Sequence, residues 1–294
     1  MRTILLTGAT GFLGSNLLKP LLEKGYFVIV LKRSFSNIDR INKLLNNYKK
    51  QIALFDLDST KLDNVFNNYN IDIMIHCATN YGRDNDNILE IIQSNLLLPL
   101  ELLHLGIVNN VNNFINTDTV IDKNINHYSL SKKQFLDWLH KYSPQIKCIN
   151  LSLEYFYGAF DNDTKFTTYI IKQLLNQAPE IDLTKGEQRR YFIYIDDVVS
   201  AFLTILDNLN KIDSGFSSFE VSTKRNISIK NFVLLVKKIS ENNNTKLNFG
   251  KVPYRKNELM NCKTDTSKLE ALGWKAKTSL EEGITKTIIQ EKNI

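Results

Sequence analysis

Tyr128 and Lys132 lie four residues apart in Tyr-Ser-Leu-Ser-Lys, a spacing that puts a phenol and an ammonium group on one face of a helix. A phenol ionises near pH 10, and an ammonium group that stabilises its phenolate turns it into a usable proton donor or acceptor. With 12 tyrosines in the chain, about one such pair is expected by chance, so position must give it weight. It opens the helix after a strand ending Phe114-Ile115-Asn116-Thr117-Asp118-Thr119, and strand ends in such sheets are where polar side chains meet ligand. A second constellation, Gly8, Gly11 and Gly14 in Thr-Gly-Ala-Thr-Gly-Phe-Leu-Gly, follows the first apolar strand and starts the first helix. Glycines there let the backbone turn and approach a pyrophosphate, whose charge the helix start holds. The two together imply acid-base chemistry beside a dinucleotide.

Lys32, Arg33 and Ser34 end the second strand, where a NAD-specific fold places an acid on the ribose hydroxyls. Two cations and a hydroxyl suit a 2'-phosphate, so the expected cofactor is NADP(H). Asp56 at the third strand end reads equally as an acceptor for the adenine amine or a helix cap. His76 and Cys77 read as core, and His104 and His140 have no metal-ligand partner spacing, so no metal is expected. The three cysteines, Cys77, Cys148 and Cys262, are odd in number and widely spaced, which implies no disulfide framework.

The elements that must carry these residues alternate. Strands at 2–7, 26–32, 51–56, 71–77, 112–116 and 146–151 are expected, with helices at 12–24 (kinked at Pro20), 38–48, 60–69, 86–109 and 128–142 between them. That rhythm predicts an α/β fold, a Rossmann doubly wound parallel sheet. After residue 158 it breaks into a helix at 164–177, a strand at 190–195, helices at 196–208 and 228–240, an irregular 245–264 and short terminal helices. The expected division is a dinucleotide-binding domain, 1–158 with 190–210 returning to it, and a smaller mixed C-terminal lobe, 159–189 and 211–294, with ligand in the crevice between them. The 294 residues are 43% apolar and 23% charged, enough for a sizeable core, and the formal charge of +6 is spread without long basic runs. Nucleic-acid binding has no aromatic-basic platform to support it. Arg2 and the short Ile4-Leu5-Leu6 run lead directly into glycines, so no signal peptide or membrane span is expected and the location is read as cytoplasmic. Residues 88–105 are apolar over more than one face, which predicts a homodimer through the helices near 86–106 and 128–142.

The glycine loop, Thr117 and Tyr128-x-x-x-Lys132 resemble the extended short-chain dehydrogenase/reductases that act on nucleotide sugars, and the resemblance covers nearly the whole chain. It extends to Ala78-Thr79-Asn80-Tyr81-Gly82, Glu154-Tyr155-Phe156-Tyr157-Gly158, Lys165-Phe166, Gly186 to Phe192, Ile195-Asp196-Asp197-Val198, Arg255-Lys256-Asn257-Glu258 and Leu272-Gly273-Trp274. Among these enzymes the chain is most similar to 4-ketoreductases of deoxysugar synthesis. The resemblance implies that Thr117 hydrogen-bonds a sugar carbonyl, Tyr128 protonates it, and Lys132 holds the nicotinamide ribose. It lines the cofactor with Thr10, Phe12, Leu13, Leu57, Ala78, Asn95 and Tyr155 besides the residues above. It assigns the substrate Thr79, Asn80, Asp118, Thr119, Lys165, Phe166 and Glu258, with Arg190 and Arg255 on the diphosphate. Thr119 stands where related 4,6-dehydratases carry the Glu that removes a sugar proton, so dehydration lacks its base. Arg190-Tyr191-Phe192 replaces the usual Arg-Asp-Phe, Ala159 the usual proline, and the stretch from Thr117 to Tyr128 is shorter than the family's. The expected activity is reduction of the C4 ketone of a nucleotide-linked 4-keto-6-deoxy or 3,6-dideoxy sugar by NADPH. Its rivals are a 4-epimerase with bound NAD and a noncatalytic NADP(H) sensor. A sensor needs no proton donor, and retention of Thr117, Tyr128 and Lys132 argues against it.

Overall fold

The protein is described by a computed structural model over residues 1–83 and 87–293. Six strands, β1 (Thr3–Thr7), β2 (Phe27–Lys32), β3 (Ile52–Asp56), β4 (Ile73–His76), β5 (Asn113–Thr119) and β6 (Lys147–Leu153), join Phe216–Val221 in one seven-stranded sheet. The order is β3-β2-β1-β4-β5-β6 and then Phe216–Val221. Registers from β3 through β5 are parallel. This is the doubly wound Rossmann order, and it reverses between β1 and β4, so the carboxyl ends of those strands flank the natural ligand crevice. Ile4-Leu5-Leu6, Val28 to Leu31 and Ile73-Met74-Ile75 are buried without interruption, as strands covered on both faces must be.

The helix α1 (Phe12–Glu23) runs through Pro20, and Lys24 N–H closes its end on the Pro20 carbonyl. A single helix spans Ile88–Val108 with a π turn at Gln93–Leu97, and the expected start at residue 86 lies outside the described residues. With a mean hydropathy of 1.5 it is long and apolar enough to cross a membrane by length and composition, contrary to the expectation that no segment approaches a span. Ile91, Leu102, Leu103 and Leu105 are buried, three of them in the core beside Phe114 and Phe135. Leu89, Leu97 and Val108 are exposed. Core and surface demands on different faces thus add up to one apolar run.

The chain divides into two compact units, Met1–Ser152 with Ile205–Phe219, and Leu153–Thr204 with Glu220–Ile294. Residues 190–204, expected to return to the first unit, belong to the second. The returning segment is Ile205–Phe219, because it leads into the strand Phe216–Val221 that extends the sheet beside β6. That strand escaped the sequence reading, its Phe-Ser-Ser-Phe-Glu-Val interrupting the apolar run with serines. The expected strand at 190–195 is instead two short pieces. Arg189–Arg190 pairs antiparallel with Ile227–Ser228, and Phe192–Tyr194 pairs parallel with Tyr155–Tyr157. The segment read as irregular holds Lys246–Phe249, parallel to Glu180–Leu183, and the last helix, Leu280–Lys292, is long rather than short.

Candidate active site

Gly8 has φ +71°, and a Cβ there would lie 2.6 Å from the Ala78 nitrogen; a Cβ on Gly14 would meet the Gly8 carbonyl oxygen at 2.2 Å. Both positions require glycine, one for backbone sign and one for close approach of helix to loop. Gly11 donates its N–H to the Gly8 carbonyl (3.0 Å) and precedes α1 with no side-chain cap, which leaves the first helical turn to an anion. Thr7 Oγ1 lies 2.9 Å from His76 Nδ1 and accepts from the Ala78 N–H, so β1 and β4 are locked together at the switch point. Burial lowers the His76 pKa well below its ordinary value, which keeps the ring neutral, and pushes the Cys77 thiol up to about 12. Both are core groups, as the sequence suggested.

The spacing of Tyr128 and Lys132 is set by a capping box. Asn126 accepts from Ser129 N–H at 2.8 Å and Ser129 Oγ returns a bond to the Asn126 backbone, so the helix His127–Tyr142 starts immediately before Tyr128. Lys132 is 1% exposed, its Nζ has no hydrogen-bond partner among the described residues, and burial pulls its pKa down to about 8. A buried, unpartnered ammonium group is costly, and hydroxyls of a cofactor ribose are the kind of acceptor that would satisfy it. The glycine cradle and this ammonium both fit a dinucleotide. Thr117 is buried and donates to the His76 carbonyl at 3.0 Å. Thr119 and Tyr128 share a side-chain hydrogen bond, and burial first, then Tyr81 and Asp118, push the phenol well above its ordinary pKa.

Several expected ligand contacts turn out to be occupied within the protein. Asn95 is fully buried: its carbonyl accepts from Thr79 Oγ1 (3.1 Å) and Asn80 N–H (2.7 Å), and its amide donates to the Asn80 carbonyl (2.8 Å) and Ser131 Oγ (3.0 Å). It therefore holds the Thr79–Asn80 loop against the turn that carries Tyr128 and Lys132, rather than reaching for a cofactor. A π turn places it there, as such insertions often do at functional sites. Asp118 accepts from Thr119 N–H, from Lys133 Nζ at 2.7 Å and from Asn150 Nδ2 at 3.2 Å, which leaves its carboxylate to brace β5. Lys133, Asn150 and Ser131 were not singled out from sequence, because their partners are distant in the chain. At the end of β2 Lys32 pairs with Asp56, and Ser34 is bound by Asp58, so two expected cofactor contacts neutralise each other. Leu57 N–H donates to the Lys32 carbonyl, and the Arg33 guanidinium lies over the Phe35 ring at 4.6 Å.

The model of the NAD dependent epimerase/dehydratase family matches residues 4–218. The chain belongs to the NAD dependent epimerase/dehydratase family. It is accordingly an NAD(P)-dependent oxidoreductase-type enzyme. It is 37% identical to CDP-abequose synthase of Salmonella muenchen, over 98% of this chain and 97% of that one. With the Salmonella typhimurium CDP-abequose synthase it shares 32% identity over 96% and 95% of the two chains. Among solved structures, UDP-glucose 4-epimerase of Thermotoga maritima with UDP-glucose superposes with a TM-score of 0.87 at 22% identity, covering 99% of both chains. UDP-glucuronic acid 4-epimerase of Bacillus cereus, with UDP-glucuronic acid and NAD, gives 0.85 at 23% over the same share. At those identities the two structures speak for the fold.

The second unit holds the family segments expected at the nucleotide sugar. Arg190 is 4% exposed; it donates to Glu258 Oε1 at 2.7 Å and to the carbonyls of Arg189 and Leu259, and lies over the Tyr155 ring at 5.3 Å. Arg190 and Glu258, expected on substrate, are thus paired to each other. Arg255 is exposed. Lys165 pairs with Asp161 at 2.8 Å beneath the Phe156 ring, and Phe166 packs on Phe232. Asp197 accepts the Lys277 and Thr278 N–H groups, each at 2.9 Å, while Trp274 Nε1 donates to Ser200 Oγ and the Asp197 carbonyl. The family segments around Asp197 and Trp274 are therefore a clasp on the C-terminal chain.

Proposed function

We propose that the protein reduces the C4 ketone of a nucleotide-linked 4-keto-6-deoxy or 3,6-dideoxy sugar with NADPH, for bacterial surface glycan synthesis in the cytoplasm. The observation that carries the reading is the buried, unpartnered Lys132 ammonium on the same helix as Tyr128, with Thr119 where a dehydratase base would stand. Similarity to CDP-abequose synthases over nearly the full length supports a keto-sugar substrate. The bound cofactor supplies the hydride that becomes the C4–H bond. Thr117, on turning its hydroxyl from the His76 carbonyl, orients the carbonyl oxygen, Tyr128 gives O4 its proton and keeps the electron pair as phenolate, and Lys132 holds the ribose and favours that phenolate. Arg255, and Arg190 on exchanging its Glu258 contact, take the diphosphate. The test is stoichiometric: a CDP-linked 4-keto sugar, or the same sugar on another nucleotide, should cause one-for-one loss of nicotinamide absorbance.

One observation favours a 4-epimerase as the second reading. Lys32 is neutralised by Asp56, which weakens the basic character at the 2'-phosphate position. NAD retained through purification, with interconversion of two C4 epimers and no net cofactor turnover, would establish that alternative. On the reductase reading the remaining cation is Arg33. NADPH should bind more tightly than NADH in a fluorescence titration, and Arg33→Asp should remove about tenfold of that preference, the worth of one charge-assisted hydrogen bond.

We also propose a homodimer through Ile88–Val108 and His127–Tyr142. Leu97 and Trp138 are 47% and 40% exposed, on helices where a surface of this apolarity calls for a cover. Replacing both Leu97 and Trp138 by Lys should convert a dimer to a folded monomer in sedimentation velocity; a parent protein that sediments as a monomer would exclude the dimer.

A further inference from the structure

Tyr128 is one member of a stack. The Tyr81 ring centroid lies 5.1 Å from that of Tyr128 with 39° between planes, and the Arg83 guanidinium carbon lies 5.0 Å from the Tyr81 centroid. The loop that carries both residues is built without help from a ligand: Asn95 ties down Thr79 and Asn80, and the Asn80 side chain accepts from Gly82 N–H at 2.8 Å. The same Asn95 bonds Ser131, whose hydroxyl donates to the Tyr128 carbonyl at 2.9 Å. One buried amide thus fixes both the loop and the helix turn, and with them the distance between the two rings.

Among the described residues, the charged and titratable groups that act on Tyr128 come from three elements. β5 supplies Asp118, the His127–Tyr142 helix supplies Lys132 and the Lys133 that pairs with Asp118, and the loop supplies Tyr81 and Arg83. Burial, Tyr81 and Asp118 raise the phenol's pKa, against the Thr119 hydrogen bond and the Arg83 charge, which lower it. Proton donation to a substrate oxygen breaks the Tyr128 O–H bond and leaves the electron pair on a phenolate. A guanidinium over an adjoining aromatic face favours that added negative charge. Lys132 favours it as well, while its hydrogen bonds go to cofactor hydroxyls on the reading above.

We propose that Tyr81 and Arg83 are positioning residues for proton transfer at Tyr128: the Tyr81 ring sets the plane of the phenol, and Arg83, seated on that ring, is a second cation that stabilises the phenolate. The proposal rests on Tyr128 being the proton donor. It gives the Tyr81-Gly82-Arg83 segment a role in acid strength, where packing alone would need only a ring.

The test separates this proposal from the assignment of activity. In the full-length protein, 3,5-difluorotyrosine placed at position 128 gives a single-site fluorine NMR titration in a pH range the fold tolerates, with no substrate present. Arg83→Gln should move that titration up by about one pH unit, as loss of a nearby cation does. Arg83→Lys should restore most of the shift. Tyr81→Phe should keep the stack and, by removing a phenol that raises the Tyr128 pKa, move the titration down, with the upward Arg83→Gln shift retained on that background. With Tyr128 itself in place, Arg83→Gln should lower kcat at neutral pH about three- to tenfold and move the basic limb of the kcat profile upward. A titration unmoved by Arg83→Gln, with or without a fall in kcat, would overturn the proposal and leave the stack as packing. A moved titration in a protein that reduces no keto sugar would keep the stack's electrostatic role and overturn the reductase reading instead.

Discussion

Tyr128→Phe should cut turnover on the order of 10²-fold or more while leaving NADPH affinity near that of the parent. The two readouts separate because different elements carry them. The loop proposed to hold the pyrophosphate is Gly8 to Gly14, where the clash of a Cβ on Gly14 with the Gly8 carbonyl shows how closely loop and helix are matched. The phenol belongs to a separate helix, started by the Asn126 and Ser129 capping box. Phe retains the ring, and so keeps the contact with Tyr81. What disappears is the proton and the hydrogen bond to Thr119. In single-turnover measurements the hydride step should slow with it, because an alkoxide formed at C4 without a donor is a poor product. Near-normal turnover would move the proton source elsewhere.

The sheet was legible because its central strands are covered on both faces and so appear as unbroken apolar runs, Ile4-Leu5-Leu6 and Val28 to Leu31. The glycine loop was legible because steric demands at Gly8 and Gly14 leave a local signature. What stayed hidden depends on contacts far apart in sequence. Nothing near Asn95 tells that Thr79, Asn80 and Ser131 consume all its hydrogen bonds, and nothing near Lys32 tells that Asp56 will face it across the β2 to β3 register. The same holds for Arg190 and Glu258, which look like two ligand contacts in sequence and are one ion pair in space. Family resemblance marks such residues as necessary without saying whether they touch a ligand or hold the group that does. The strand Phe216–Val221 was missed for a local reason: its serines break the apolar pattern that revealed the others.

Lys132→Met should abolish efficient turnover and at the same time stabilise the ligand-free protein. The ammonium group is buried, lacks a partner, and is held at about 8 against an ordinary 10.5, with burial the largest cause. Below pH 8 the lysine is charged in both the folded and unfolded chain, and the folded state bears the whole cost of burying the charge. Between about pH 8 and 10.5 only the unfolded chain keeps the proton, so stability rises with pH across that window and levels off above it. At 1.36 kcal/mol per pH unit the displacement corresponds to about 3 kcal/mol, set against the fold at neutral pH. Met is similar in length, apolar and adaptable in a core, so it removes that cost without opening a large cavity. Thermal unfolding at pH 7 should therefore give a Tm several degrees above the parent's, and the rise in parental stability from pH 8 to 10 should vanish in the variant. Dinucleotide binding reverses the balance: ribose hydroxyls that accept from the ammonium favour its charged form, so the parent should take up a proton on binding above pH 8. Lys132→Met should not, and calorimetry in two buffers of different ionisation enthalpy measures the difference. Equal Tm values and identical pH slopes for the two proteins would mean that the Lys132 ammonium is already satisfied without a ligand, and that the cofactor ribose is held by other groups.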